Sequence, residues 1–317
     1  MNTVMNMVTN MPNFLVIGAA KAGTTSLANY LDQHPDIYMS PMKEPKFFAL
    51  EGEDLDFRGP GDQEGMKRYS VTNLEDYQAL FQKVTTERAI GEASTLYLYS
   101  PKAVERIRYF TPAAKLIAII RNPVERAYSN FLHNLLDGLE PLTDFAEALR
   151  VEEDRIRDNW APKWHYRTRG YYYGQLRRYF EAFDPGQVKV YLYDDFNDGN
   201  ADELPQSIFG FLGVDESYSP DVTKKHNVSG MPKSKLLHNF VVRPNLIKAA
   251  VKPFLSNALR RRISGNLKDR NLVKTPMSPA VREWLTDAYR ADVLKLQDLL
   301  NRDLSKWLEL ERGHSNE

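Results

Sequence analysis

Lys21 stands in the run Gly18-Ala-Ala-Lys-Ala-Gly-Thr-Thr-Ser26, where residue types and spacing offer chemistry most directly. One cation, three hydroxyls and a small-residue loop with uncovered amides meet there. Such a loop holds an anion, because free N–H groups and the dipole of the following helix converge on it. The nucleotide pattern G-x-x-x-x-G-K-[ST] nearly fits: Gly18 and Gly23 match, and Thr25 fills the hydroxyl position. The lysine position holds Thr24, however, and the loop's lysine stands three residues earlier. That lysine normally reaches the β- and γ-phosphates of a triphosphate, so its displacement argues for a different anion.

A second constellation follows the apolar run Lys115 to Ile120. In a Mg²⁺-dependent triphosphate enzyme a later strand ends in an aspartate that holds the ion. Here the run ends in Arg121, a fixed bidentate fork for phosphate that binds no metal. Ser129 lies eight residues on, about two helical turns, on roughly the same side. Arg121 and Ser129 together read as a second phosphate site.

These residues resemble the cofactor motifs of sulfotransferases that use 3′-phosphoadenosine 5′-phosphosulfate (PAPS). Lys21-Ala-Gly-Thr-Thr-Ser-Leu27 resembles their 5′-phosphosulfate loop, and Leu116 to Ser129 their 3′-phosphate segment. Gly91-Glu-Ala-Ser94, Arg169-Gly-Tyr-Tyr172 and Asp303 to Trp307 are similar to the same family, so the likeness runs through nearly the whole chain. The resemblance implies transfer of a sulfuryl group from PAPS to an acceptor hydroxyl or amine, carbohydrate or small molecule, leaving adenosine 3′,5′-bisphosphate. It needs no metal. Lys21 would neutralise charge on the bridging oxygen, and the backbone from Ala22 through Gly23, Thr24 and Thr25 to Ser26 would hold the 5′-phosphate.

Transfer to a hydroxyl calls for a general base. Glu44, in Lys43-Glu-Pro-Lys-Phe-Phe48, matches the glutamate of a K-E-x-x-F-F pattern in glycan-type members and is the first candidate. His226 is the rival. The basic, turn-rich stretch around it, with Lys233 and Lys235, reads as a lid over the cofactor. Arg169 and Tyr171 are candidates for the adenine pocket. Two other readings stand beside this one. A P-loop kinase of a small metabolite would need Mg²⁺ and a lysine where Thr24 stands. A non-catalytic nucleotide-binding protein would keep the cradle without transfer.

The elements that must position these residues follow from hydrophobic pattern. Phe14–Ile17, Asp36–Ser40, Ala89–Glu92, Lys115–Ile120 and Val188–Tyr193 read as strands, with helices from Thr24, Leu74, Pro101, Pro123, Phe145, Gly170, Leu204 and Pro279. Lys115–Ile120 is the most apolar and is expected at the centre of the sheet. Residues 51–65 read as a surface loop. Alternating strands and helices predict an α/β, P-loop-type three-layer fold with a central parallel sheet flanked by helices, its ligands at the carboxyl ends of the strands. We expect one domain over 13–310 with disordered segments at 1–12 and 311–317.

Lys+Arg and Asp+Glu number 42 each, so no general nucleic-acid surface is indicated. There are no cysteines, which removes disulfides and thiol chemistry and suits a reducing compartment. No run approaches the roughly 20 apolar residues of a membrane span. A cytoplasmic protein is expected.

Overall fold

In a computed structural model we describe residues 11–196, 203–222, 231–232, 272–273 and 276–310. The apolar runs form the sheet: β1 (Phe14–Gly18), β2 (Ile37–Met39), β3 (Ala89–Ala93), β4 (Lys115–Ile120) and β5 (Val188–Leu192). They pair in the order β2-β3-β1-β4-β5, every pair parallel. All of β1 and five of the six residues of β4 are buried, as a parallel sheet covered on both faces requires. Met231–Pro232 and Leu272–Val273 make a separate antiparallel pair.

The middle position belongs to β1 rather than to the more apolar β4. Apolarity reports cover on both faces, which every interior strand shares, so it cannot rank them. Placing β1 in the middle puts the lysine loop at the centre of the sheet's carboxyl edge.

The longer helices are α1 (Thr24–Leu31), α2 (Pro101–Phe110), α3 (Pro123–Leu136), α4 (Tyr172–Ala182), α5 (Glu203–Leu212) and α6 (Pro279–Leu300). Helix α3 starts where its sequence requires. Pro123 occupies the first turn, and the Asn122 side chain accepts from the amides of Val124 at 2.9 Å and Glu125 at 3.3 Å. One apolar core runs through the described residues, from β1 to Leu285, Val293 and Leu296 of α6.

Two further expectations are corrected. Residues 51–65 are not simply a surface loop, because Asp62 begins a short helix (Asp62–Arg68) and is fully buried. Its carboxylate accepts from the Ala161 amide at 2.7 Å and the Trp164 indole at 2.9 Å, and pairs with Lys163 at 2.7 Å. Gly- and Asp-rich composition reads as loop, but donors distant in sequence make burial of this carboxylate tolerable. The helix expected from Phe145 to Asn159 is two short ones, Phe145–Arg150 and Glu152–Arg157. Glu152 is buried at the break and accepts from the amides of Arg167 at 2.6 Å and Thr168 at 2.8 Å.

Candidate active site

A cavity of about 370 Å³ opens at the carboxyl ends of the strands, and the segment following each strand contributes to its wall. Lys21 and Gly23 to Ser26 come after β1, Lys43 and Glu44 after β2, Thr95 after β3, Arg121 after β4 and Tyr193 after β5. Helix α3 adds Ser129, Asn130, His133 and Asn134.

The lysine loop is held in an uncommon backbone. Lys21 has φ 65° and Gly23 has φ 87°, both left-handed. Gly23 is the N-cap of α1, and no side chain caps that helix start. Its first amides, those of Thr24, Thr25 and Ser26, therefore point out of the helix without an intrahelical acceptor. Ala22 departs from the expected row of phosphate-binding amides. Its N–H donates to the Ala19 carbonyl at 3.3 Å and its side chain is buried. The available row begins at Gly23. A Cβ at Gly23 would stand 3.2 Å from the Tyr193 ring as well as forcing an L-residue to φ 87°. Gly23→Ala is thus expected to lower stability by about 1–2 kcal/mol and to weaken anion binding, read by thermal melting with and without bisphosphate.

Lys21 is largely buried, and burial lowers its pKa from 10.5 to about 8. Asp137 and Glu44 oppose this shift, while Lys43 and Arg121 add to it. The lysine is thus a poorly solvated cation facing other cations, and an anion in the loop would relieve it. Arg121 donates to the Lys21 carbonyl at 3.4 Å and lies over the Tyr193 ring at 4.7 Å. It also approaches Glu125 at 3.8 Å, and Arg282 pairs with that carboxylate at 2.6 Å. Ser129 is buried and lines the same cavity, so the two phosphate candidates and Lys21 are brought together.

Glu44 is fixed from both ends. Its backbone is left-handed, φ 53°, and its amide donates to the Ala93 carbonyl at 3.2 Å. The Thr95 hydroxyl donates to the carboxylate, 3.1 Å from one oxygen and 3.2 Å from the other. Lys46, left-handed at φ 59°, sends its ammonium to the carbonyls of Glu44 at 2.8 Å and Tyr69 at 2.9 Å. Its burial lowers that ammonium's pKa. Two non-glycine residues in the left-handed region thus flank Pro45, a strained turn that aims Glu44 into the cavity. Lys43 donates to the Thr25 hydroxyl and ties this turn to the lysine loop.

Glu92 lies in the core rather than on the cavity wall. Tyr97 and Tyr77 donate to it at 2.5 and 3.2 Å, and burial raises its pKa to about 7. Arg169 and Tyr171 are separated. Arg169 lines the cavity, whereas Tyr171 packs its ring against Tyr289 of α6, centroids 5.0 Å apart, away from it. His226, Lys233 and Lys235 lie outside the described residues.

Lys43, Thr95, Asn130, His133, Asn134 and Tyr193 were not anticipated. Asn130, His133 and Asn134 share α3 with Ser129, and projecting that helix from Ser129 would have found His133, one turn on, but not the two asparagines. Thr95 and Tyr193 carry no signal beyond following a strand. Among the described residues, no group of three or more His, Cys, Asp or Glu is placed to hold a metal ion. No described helix is long and apolar enough to cross a membrane.

A parallel three-layer sheet with a strand–loop–helix anion cradle at its middle strand defines a P-loop-type fold whose lysine has moved off the triphosphate position. Within that class, the model of the Sulfotransferase family matches residues 12–218, and the chain belongs to this family. A solved sulfotransferase from Alicyclobacillus acidocaldarius is 36% identical, covering 94% of this chain and 99% of that one, with a TM-score of 0.75. The bifunctional heparan sulfate N-deacetylase/N-sulfotransferase 2 of Bos taurus is 25% identical over 96% of this chain. The membrane-associated sulfotransferase kil1 of Dictyostelium discoideum is 33% identical over 38% of it. The chain spans 32% and 22% of those two curated relatives. A kinase reading finds no support in these matches.

Proposed function

We propose that residues 13–310 form one catalytic domain that transfers a sulfuryl group from PAPS to an acceptor hydroxyl or amine. The observation that carries this is a largely buried, poorly solvated Lys21 facing the same cavity as a fixed carboxylate, Glu44, and a phosphate fork, Arg121. The amides of Gly23 to Ser26 and the hydroxyls of Thr24 and Thr25 take the 5′-phosphate, and Arg121 with Ser129 takes the 3′-phosphate. Glu44 removes the acceptor proton as the acceptor oxygen or nitrogen bonds to sulfur. The bond from sulfur to the bridging oxygen breaks, and its electron pair goes to the 5′-phosphate. Lys21 and the helix-start amides balance that charge as it develops. Adenosine 3′,5′-bisphosphate leaves.

No β/γ pair has to be bridged, so the transfer is proposed to run without metal. The likeness to an enzyme named for heparan sulfate favours a carbohydrate acceptor over an apolar alcohol. The cavity wall agrees: among its described residues, Ala20, Gly23 and Leu139 are the non-polar ones. The absence of cysteine favours a cytoplasmic location.

The test is PAPS-dependent release of bisphosphate with a panel of hydroxyl and amine acceptors, alongside calorimetric titration of bisphosphate. No binding would overturn the reading. Arg121→Ala is expected to weaken bisphosphate roughly 10–100-fold, because a charge-assisted fork is lost, while kcat at saturating donor changes little.

A further inference from the structure

Arg169 is 8% exposed and lines the cavity, yet it makes no ion pair among the described residues. Its guanidinium donates to the carbonyls of Pro162 at 3.5 Å and Thr95 at 3.3 Å, both long contacts. Arg126 is fully buried, and its charge repels that of Arg169. It too has no carboxylate partner among the described residues, and its Nε has no hydrogen-bond partner. A guanidinium withdrawn from water beside a second one, with no carboxylate in ion-pair contact, is costly unless an anion joins it.

Three other cations of the wall are already engaged. Lys163 pairs with Asp62 at 2.7 Å, Arg121 approaches Glu125 at 3.8 Å, and Lys43 donates to the Thr25 hydroxyl. Arg169 lines the same cavity as Lys21 and Glu44. The charges that act on it most are Arg126 and Glu44, whereas Lys21 responds to Asp137, Lys43, Arg121 and Glu44. Glu44 is common to both. Thr95 makes the link physical, since its hydroxyl holds Glu44 and its carbonyl receives Arg169.

We propose that Arg169 receives an anionic substituent of the acceptor, a carboxylate or sulfate ester on the same unit as the group that Glu44 deprotonates. The proposal rests on the sulfotransferase reading above. It names the acceptor class as a hydroxylated acid, such as an acidic sugar, rather than a neutral alcohol. A guanidinium fork is suited to this, since it meets a planar carboxylate or a sulfate with paired donors.

The experiment uses acceptors that differ at carbon 6 alone, a carboxylate in 4-nitrophenyl glucuronide and a hydroxymethyl group in the glucoside, with PAPS as donor, transfer followed to the ring hydroxyls they share, and bisphosphate titrated in parallel. The acid should show kcat/KM about tenfold or more above the neutral partner. Arg169→Gln should lose about tenfold more with the acid than with the glucoside, and Arg169→Lys should recover part of the difference. Bisphosphate affinity should stay within about threefold in both variants. Equal rates for the two acceptors, including no turnover of either, overturn the proposal without any variant. So does Arg169→Gln slowing both acceptors alike or weakening bisphosphate in step, which would assign the arginine to the transferring group. Failure of bisphosphate to bind the unaltered protein overturns the sulfotransferase reading itself.

Discussion

Lys21→Ala is expected to lower kcat about 10²–10³-fold, the cost of removing one charge-stabilising group aimed at a developing oxyanion. Bisphosphate affinity should fall by less, because the Gly23 to Ser26 amides and Arg121 remain. The pH dependence carries the same signature. Burial lowers the Lys21 pKa to about 8, so the free enzyme loses this charge as pH rises through that value. Donor affinity should weaken above pH 8 in the wild type, and calorimetry should record proton uptake on binding there. The variant should show neither effect. Stability runs the other way: between about 8 and 10.5 the unfolded chain holds the lysine proton more tightly than the folded one. Lys21 therefore costs stability at neutral pH, and that cost is relieved as pH climbs through this window. Equal turnover in the variant and the wild type would remove Lys21 from the chemistry.

Glu44→Gln is the second large effect. The substitution keeps size and the Thr95 contact but removes the proton acceptor, and kcat should fall about 10²–10⁴-fold. Bisphosphate affinity should be nearly unchanged, since Glu44 is not proposed to touch the donor. Single-turnover measurement with saturating PAPS separates the two. If the variant turned over at the wild-type rate, the base would have to be sought elsewhere, with His226 first.

The lysine-loop half of the candidate site was legible because its signals are local. A strand, small residues and a helix start in the space of Phe14 to Leu31 dictate where backbone amides go, and Pro123 fixes the start of the helix that carries Ser129. The Glu44 turn was legible as a motif but not as a shape. Nothing in Lys43-Glu-Pro-Lys46 announces two left-handed residues, because tertiary bonds to Ala93, Ser94, Thr95 and Tyr69 help sustain them. Arg169 was read together with Tyr171 since they are near neighbours in sequence. The turn of Thr168–Gly170 points them to different places. Asp62 was missed outright, since its partners lie about a hundred residues away and composition cannot see them.

The Asp62 junction bears on how such a chain can diverge. The residues proposed to hold the donor hang from a ladder of five strands, where any displacement disturbs the whole sheet. The opposite wall, from Leu139 to Arg169, is instead moored by side chains. Asp62 grips Ala161, Lys163 and Trp164, while Asn130 and Asn134 hold the Lys163 carbonyl at 2.9 and 3.0 Å. On the proposed function, drift elsewhere on that wall would alter which molecule is modified while the machinery that spends the donor stays intact. Asp62 marks the limit of that freedom: the wall is modular as far as its mooring, and no further.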